Sequence, residues 1–226
     1  MKSAEIADYV QDCLEAASKV WVYRGPPRKE APHALLTSGQ HSDGYADVGG
    51  YIKDNPARRR EFATYLLELI PLQFRFSFSY VGGADTSSTL LAADVADLSQ
   101  TTHICMIKAG KLQVWHPHNP KIKDRETVLE VEELITKSTS ALAFREGIWT
   151  AHPGTVVNFV PFLPTIVDRS DSDSPVEMVK NSKILSLVRL PIRNYDLAEC
   201  PYCKVGSMAI KPKEGDNWKL LNAHAA

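Results

Sequence analysis

The residues best placed for chemistry lie in one run, Val128-Leu129-Glu130-Val131-Glu132-Glu133-Leu134-Ile135-Thr136-Lys137-Ser138-Thr139-Ser140. An apolar strand ends in two acids, a hydroxyl-rich turn follows, and a helix opens. Adjacent carboxylates can accept hydrogen bonds from two vicinal ribose hydroxyls. The turn offers backbone N–H groups and Thr and Ser hydroxyls at a helix N-terminus, where the helix dipole favours an anion. A helix cap behind two exposed acids would read the same way, and the run alone leaves both open. His116 and His118 are too sparse for a metal site; they read as exposed loop histidines or as groups that act when protonated. Cys200-x-x-Cys203 invites a zinc or redox reading. A structural zinc takes four ligands, and no second Cys or His pair lies at suitable spacing, so the turn reads as structural.

Those residues need a scaffold. Ile6, Tyr9, Val10, Cys13, Leu14 and Ala17 recur at helical spacing and predict an amphipathic opening helix. Asn55-Pro56 leads into a second helix with the stripe Phe62, Leu66, Leu69 and Ile70, stopped by Pro71. Strands and helices then alternate. Phe76 to Val81 reads as a strand ended by Gly82-Gly83, Thr89 to Leu98 as a helix, and His103 to Ile107 as a buried strand. The stretch from Lys108 to Glu126 is a long polar connection. Thr127 to Val131 reads as a strand, about Thr139 to Trp149 as a helix, and Gly154 to Val160 and Pro164 to Val167 as later strands. This rhythm predicts an α/β fold with a mostly parallel central sheet flanked by helices. Ligands in such sheets sit at the carboxyl ends of strands, so the loops after Val81, Ile107 and Val131 are the ones to examine.

Composition narrows the function. The 226 residues carry 26 Lys plus Arg against 27 Asp plus Glu, a formal net charge of -1. No global field is available to hold nucleic acid or an anionic membrane, and any phosphate site must be local. Hydrophobic residues at 44% and charged residues at 23% fit a folded globular chain. No apolar run is long enough to span a bilayer. Glu5, Asp8, Asp12 and Glu15 do not fit a signal or transit peptide, and Cys13, Cys105, Cys200 and Cys203 do not form a secreted disulfide framework. The expected location is cytoplasmic.

The acid-pair run resembles the phosphoribosyl pyrophosphate motif of the type I phosphoribosyltransferases. There two acids precede a Thr-Thr-Gly-Gly-Ser-like loop. Glu132 and Glu133 match the acids, Thr136 and Ser140 match the loop ends, and Lys137, Ser138 and Thr139 replace a hydroxyl and two glycines. His33 to Tyr45, with Ser38-Gly39, Ser42 and Tyr45, resembles the early base-binding signature of bacterial-type orotate phosphoribosyltransferases. Val167-Asp168-Arg169 and Cys200-Pro201-Tyr202-Cys203 match further stretches of that branch.

The resemblance implies three segments: 1-45 as an N-terminal helix and small base-binding hood, 46-195 as the core, and 196-226 as a CPxC turn and tail. It also implies transfer of a 5-phosphoribosyl group from phosphoribosyl pyrophosphate to orotate, a reaction of pyrimidine biosynthesis. Mg2+ would be bound through the substrate, and the chain would be a homodimer. Thr37, Ser38, Gly39, Ser42 and Tyr45 would face the base. Glu132, Glu133, Thr136, Lys137, Ser138, Thr139 and Ser140 would hold ribose 5-phosphate. Gly82, Gly83, Ala84, Asp85 and Thr86 would form the pyrophosphate loop, and Lys108, Lys111 and His118 would act in catalysis.

The chain departs from the family at telling places. Ser138 stands where glycine is preferred, Thr86-Ser87 where the pyrophosphate loop has a Gly pair, and Pro117-His118-Asn119 near a usual Arg-Arg-Gly. Neutral His118 cannot replace a bidentate guanidinium. Asp85 would oppose a polyanion by about 4 kcal/mol at ~4 Å and an effective dielectric of ~20 unless a cation bridges them. These losses leave room for an alternative, a catalytically impaired relative that binds a nucleotide or phosphosugar as a regulator or partner-binding module.

Overall fold

In the computed structural model, which describes residues 3–110 and 112–224, two four-stranded sheets meet along one stretch of chain. The first runs Asn158–Phe159, Thr127–Glu130, Tyr80–Gly82, Thr102–His103, all parallel. The second runs Glu132–Ile135, Phe162–Asp168, Ser182–Arg189, Met178–Val179, with only the last pair antiparallel. Thr127–Glu130 and Glu132–Ile135 are separated by Val131 alone, whose N–H donates to the Gly82 carbonyl at 2.9 Å. The acid pair therefore begins where the chain leaves one sheet for the other.

Successive strand residues point to opposite faces, and both faces here are apolar and covered. Val81 and Leu129 pack with Val10, Phe62, Leu66 and Leu91, which come from helices Ser3–Ala16, Pro56–Leu69 and Thr86–Ser99. Their neighbours Tyr80 and Val128 pack with Phe144 and Ile148 of helix Thr139–Ala151. Helices thus flank the parallel sheet on both sides, as the alternation predicts. No helix among the described residues is long and apolar enough to cross a membrane.

The N-terminal hairpin and the C-terminal tail form one substructure. His33–Leu35 pairs with His41–Ser42 on one side and with Ala209–Ile210 on the other, and Asn194–Tyr195 extends the sheet beyond His41–Ser42. Trp21, Tyr23, Ala34, Cys200, Tyr202, Ile210 and Leu221 fill its core. The buried Trp21 indole N–H donates to the Leu221 carbonyl at 3.0 Å.

Three local expectations change. The strand read as Phe76 to Val81 begins only at Tyr80, because residues 71–77 fold into consecutive turns that leave Phe76 66% exposed. The strand read as His103 to Ile107 is broken where Asn119 Oδ1 accepts from Cys105 N–H at 3.1 Å. Beyond the break, Met106–Ala109 turns back on Leu112–Trp115 as a hairpin with Ile107 exposed. Gly147 lets that hairpin lie against helix Thr139–Ala151, since a Cβ there would sit 2.2 Å from the Gln113 carbonyl oxygen. The long strand Ser182–Arg189 was not foreseen. Gly154 to Val160 contributes only Asn158–Phe159.

Candidate functional site

The hydroxyl-rich turn keeps a shape its sequence resists. Ser138, the residue before helix Thr139–Ala151, has φ 56°, in the left-handed region that favours glycine. Its side chain is buried, and Oγ has no hydrogen-bond partner. Thr136, Lys137 and Thr139 face a cavity at this helix N-terminus, and Ser140 is exposed beside it. Lys137 Nζ donates to Gln40 Oε1 at 3.2 Å, which ties the turn to the hood.

The acid pair faces the other way. Glu132 Oε2 accepts from Ser88 Oγ at 2.7 Å, Glu132 Oε1 accepts from the Ala84 N–H at 3.3 Å, and Glu133 Oε2 also meets Ser88 Oγ. Both acids are buried, and neither lines the cavity. Burial raises both carboxyls above the ordinary glutamate value. Glu132 is raised further by Glu133, and Glu133, at about 7, by Asp85.

Asp85 completes this cluster as a helix cap. Its Oδ1 accepts from the N–H groups of Ser87 at 2.8 Å and Ser88 at 3.0 Å. The first turn of Thr86–Ser99 would otherwise offer those donors to an anion. Gly82 and Gly83 are kept by close packing and not by φ: a Cβ on Gly83 would lie 2.6 Å from Ser88 atoms. Ala84 is buried and Thr86 exposed. The pyrophosphate loop expected here is thus folded onto the chain's own carboxylates. Ligand atoms of Asp85, Glu132 and Glu133 lie within 4.8 Å of one another, an oxygen-rich set that suits a hard divalent cation.

The cavity is about 390 Å³ and lies between turn and hood. Thr37, Ser38 and Gln40 form part of one wall, with Leu36, Tyr45, Ala46 and Leu134 as apolar surface. Gly39, at φ 84°, makes the hairpin turn possible. Ser42 is not among the lining residues; its Oγ donates to the Arg193 carbonyl at 2.8 Å and accepts from Gly44 N–H at 3.2 Å, which makes it a hood-building residue. Among the lining residues outside the set expected to bind base and phosphate are Arg169 and Asn194. Arg169 is only 8% exposed, its Nε has no partner, and burial lowers its pKa. Asn194 Oδ1 is likewise buried and unpartnered. The Val-Asp-Arg match points to Arg169 in sequence; no motif points to Asn194.

The catalytic expectations fare differently. Lys108 lies exposed on the Met106–Ala109 strand, and His118 is exposed with its N–H donating to His116 Nδ1 at 3.2 Å. Neither lines the cavity. Lys111 lies outside the described residues. The hairpin residue that does reach the loop expected to hold pyrophosphate is Gln113, whose Nε2 donates to the Ala84 carbonyl.

No family model matches the chain. The orotate phosphoribosyltransferase of Mycobacterium tuberculosis, solved with inorganic phosphate, superposes with a TM-score of 0.53 over 83% of this chain and 95% of that one, at 19% identity. The Aeropyrum pernix enzyme gives 0.52 over 71% and 86%, at 21% identity. The fold therefore defines a class: this is a type I phosphoribosyltransferase architecture. Sequence narrows it further. The orotate phosphoribosyltransferase of Thermoanaerobacter sp. is 29% identical over 207 residues, covering 89% of this chain and 96% of that protein. That of Campylobacter concisus is 26% identical over 82% and 92%. Over most of its length the chain is similar to proteins named orotate phosphoribosyltransferase.

Proposed function

We propose that this chain is a phosphoribosyltransferase of the orotate type. The carrying observation is the cavity that joins the hydroxyl-rich turn to the hood, with the polar side chains of Arg169 and Asn194 in its wall. A charged guanidinium and an amide in that wall suit a polar ligand. Thr136, Lys137 and Thr139, with the N-terminal dipole of helix Thr139–Ala151, receive the 5-phosphate. Arg169 matches a base bearing a carboxylate, and Asn194 Oδ1 accepts from a ring N–H. Tyr45, Leu36 and Leu134 supply apolar surface against which a planar ring can lie.

In the proposed transfer the ribose C1–O bond breaks and pyrophosphate leaves with its electron pair. The base nitrogen supplies the pair for the new C1–N bond and gives its proton to solvent. Catalysis rests on holding base and sugar in line and on spreading the departing negative charge. Asp85, Glu132 and Glu133 are the residues that would hold Mg2+, which would supply neutralisation of the departing negative charge. For substrate to reach the acid pair, Glu132 and Glu133 must exchange their bonds from Ser88 for bonds from ribose hydroxyls. The family resemblance implies a cytoplasmic homodimer, and the mass in solution tests the dimer.

One observation favours a second reading. Asp85 occupies the Ser87 and Ser88 N–H donors that pyrophosphate would need, as expected of a phosphosugar or nucleotide binder that no longer transfers. Purified protein with Mg2+, phosphoribosyl pyrophosphate and orotate separates the two. Loss of orotate absorbance with matching release of pyrophosphate supports the enzyme. Calorimetric binding of the phosphosugar without turnover leaves the binder, and neither signal removes both.

A further inference from the structure

We infer that the hood contains a structural zinc site formed by His33, His41, Cys200 and Cys203. His33 and His41 stand at opposite ends of the hairpin turn, on strands paired so that His41 faces Leu35. Cys200 and Cys203 lie at the start of the short helix Pro201–Lys204. One ligand atom from each residue can be chosen so that all four lie within 4.8 Å of one another. His33 Nε2 is 2.8 Å from His41 Nδ1 and 3.6 Å from each cysteine Sγ, and Cys203 Sγ is 3.2 Å from His41 Nδ1. Zinc–nitrogen bonds of ~2.0–2.1 Å and zinc–sulfur bonds of ~2.3 Å in a tetrahedron place ligand atoms ~3.3–3.8 Å apart. The cluster is nearly at that spacing.

Hydrogen-bond bookkeeping leads to the same conclusion. The Ser207 hydroxyl donates its one hydrogen to the Ala31 carbonyl at 2.6 Å. Its 2.8 Å contact with His33 Nδ1 must then be Nδ1–H donating to Ser207 Oγ. In the neutral ring this leaves Nε2 with a bare lone pair, the arrangement by which an outer partner orients a metal-binding histidine. Tyr202 stacks on the ring at 5.2 Å and 22°. Three groups (His41 Nδ1 and both thiols) crowd that one lone pair. One of them can donate to it, whereas a shared cation satisfies them all. On binding, the two thiols release their protons to solvent, and two thiolates with two neutral imidazoles cancel the charge of Zn2+. The site is neutral and suited to its buried place, since His33, His41 and Cys200 are buried. A mixed sulfur and nitrogen tetrahedron is a zinc donor set.

The sequence concealed this site because the histidine pair has an uncommon spacing and lies far along the chain from the cysteines. The proposed zinc clamps both ends of the Thr37–Gln40 turn to the tail, and so fixes one wall of the cavity whatever that cavity binds. The test uses the full-length protein purified under reducing conditions without added chelator. One zinc per chain is expected by elemental analysis, and removing it should lower the melting temperature. Cobalt exchanged into the site should give intense tetrahedral bands and a thiolate charge-transfer band, both weakened in Cys203→Ser. Wild-type protein that neither retains zinc nor binds zinc or cobalt overturns the site. So does a six-coordinate cobalt spectrum without thiolate absorption, which is read on wild type and does not depend on the variant folding.

Discussion

Ser138 and the acid pair carry opposite kinds of strain. A left-handed non-glycine residue costs roughly 1–2 kcal/mol, and the buried Ser138 Oγ adds an unmet hydrogen bond. Ser138→Gly should therefore stabilise the chain by about 1 kcal/mol after allowing for the freer unfolded state, measured as a higher urea midpoint. A lower midpoint would show that the hydroxyl is supporting the turn. For the acids the effect follows pH. Burial first, and then Asp85, raises Glu133 to about 7, and Glu132 is raised by burial and Glu133. Between the ordinary glutamate value of 4.5 and about 7, the folded pair holds protons that the unfolded chain releases. Its contribution is thus fully present below the lower value and is lost as pH rises through the upper one. The melting temperature of Glu132→Gln/Glu133→Gln minus that of wild type should climb across this window. A flat difference would mean that the acids are not crowded as described. The double variant should also lose phosphosugar binding.

At the scale of elements, two substitutions read the helices. Asp85→Ala removes a cap worth about 1 kcal/mol but frees the Ser87 and Ser88 N–H groups, so it should lower the melting temperature while tightening pyrophosphate binding in calorimetry run without Mg2+. Unchanged or weaker binding would remove the loop's role as an anion site. On helix Thr139–Ala151, the buried Arg145 Nε donates to buried Glu130 Oε2 at 2.6 Å, and Nη1 donates to the Val179 carbonyl at 3.0 Å. Arg145→Met leaves Glu130 unpaired and should destabilise the chain by about 3 kcal/mol, at the lower end for such a pair because Glu130 can take up a proton. Adding Glu130→Gln should recover part of that loss, and no recovery would argue against charge pairing as the cause. The helices were legible because stripes such as Phe62, Leu66 and Leu69 repeat with one turn. The strands were less so. Ser182–Arg189 is set by its parallel partner Phe162–Asp168, and Phe76 alternates in sequence without a neighbour to pair with.

In the whole molecule, function depends on joining distant stretches. The turn at Thr136–Thr139 was legible locally and the hood loop by resemblance, but their meeting through Lys137 and Gln40 exists only in the fold. The same holds for Arg169 and Asn194, which the fold brings from separate stretches to one cavity wall. The inward turn of Glu132 and Glu133 onto Ser88 was not legible, because carboxylate direction depends on which loop packs against it. The most direct test of the cavity assignment is calorimetric titration with orotidine 5′-monophosphate, the product of the proposed transfer. One site per chain is expected, weakened at least about tenfold by Arg169→Leu, as suits the loss of a charged hydrogen bond of roughly 1.5–3 kcal/mol. No binding by folded wild-type protein, or equal binding by the variant, would contradict it.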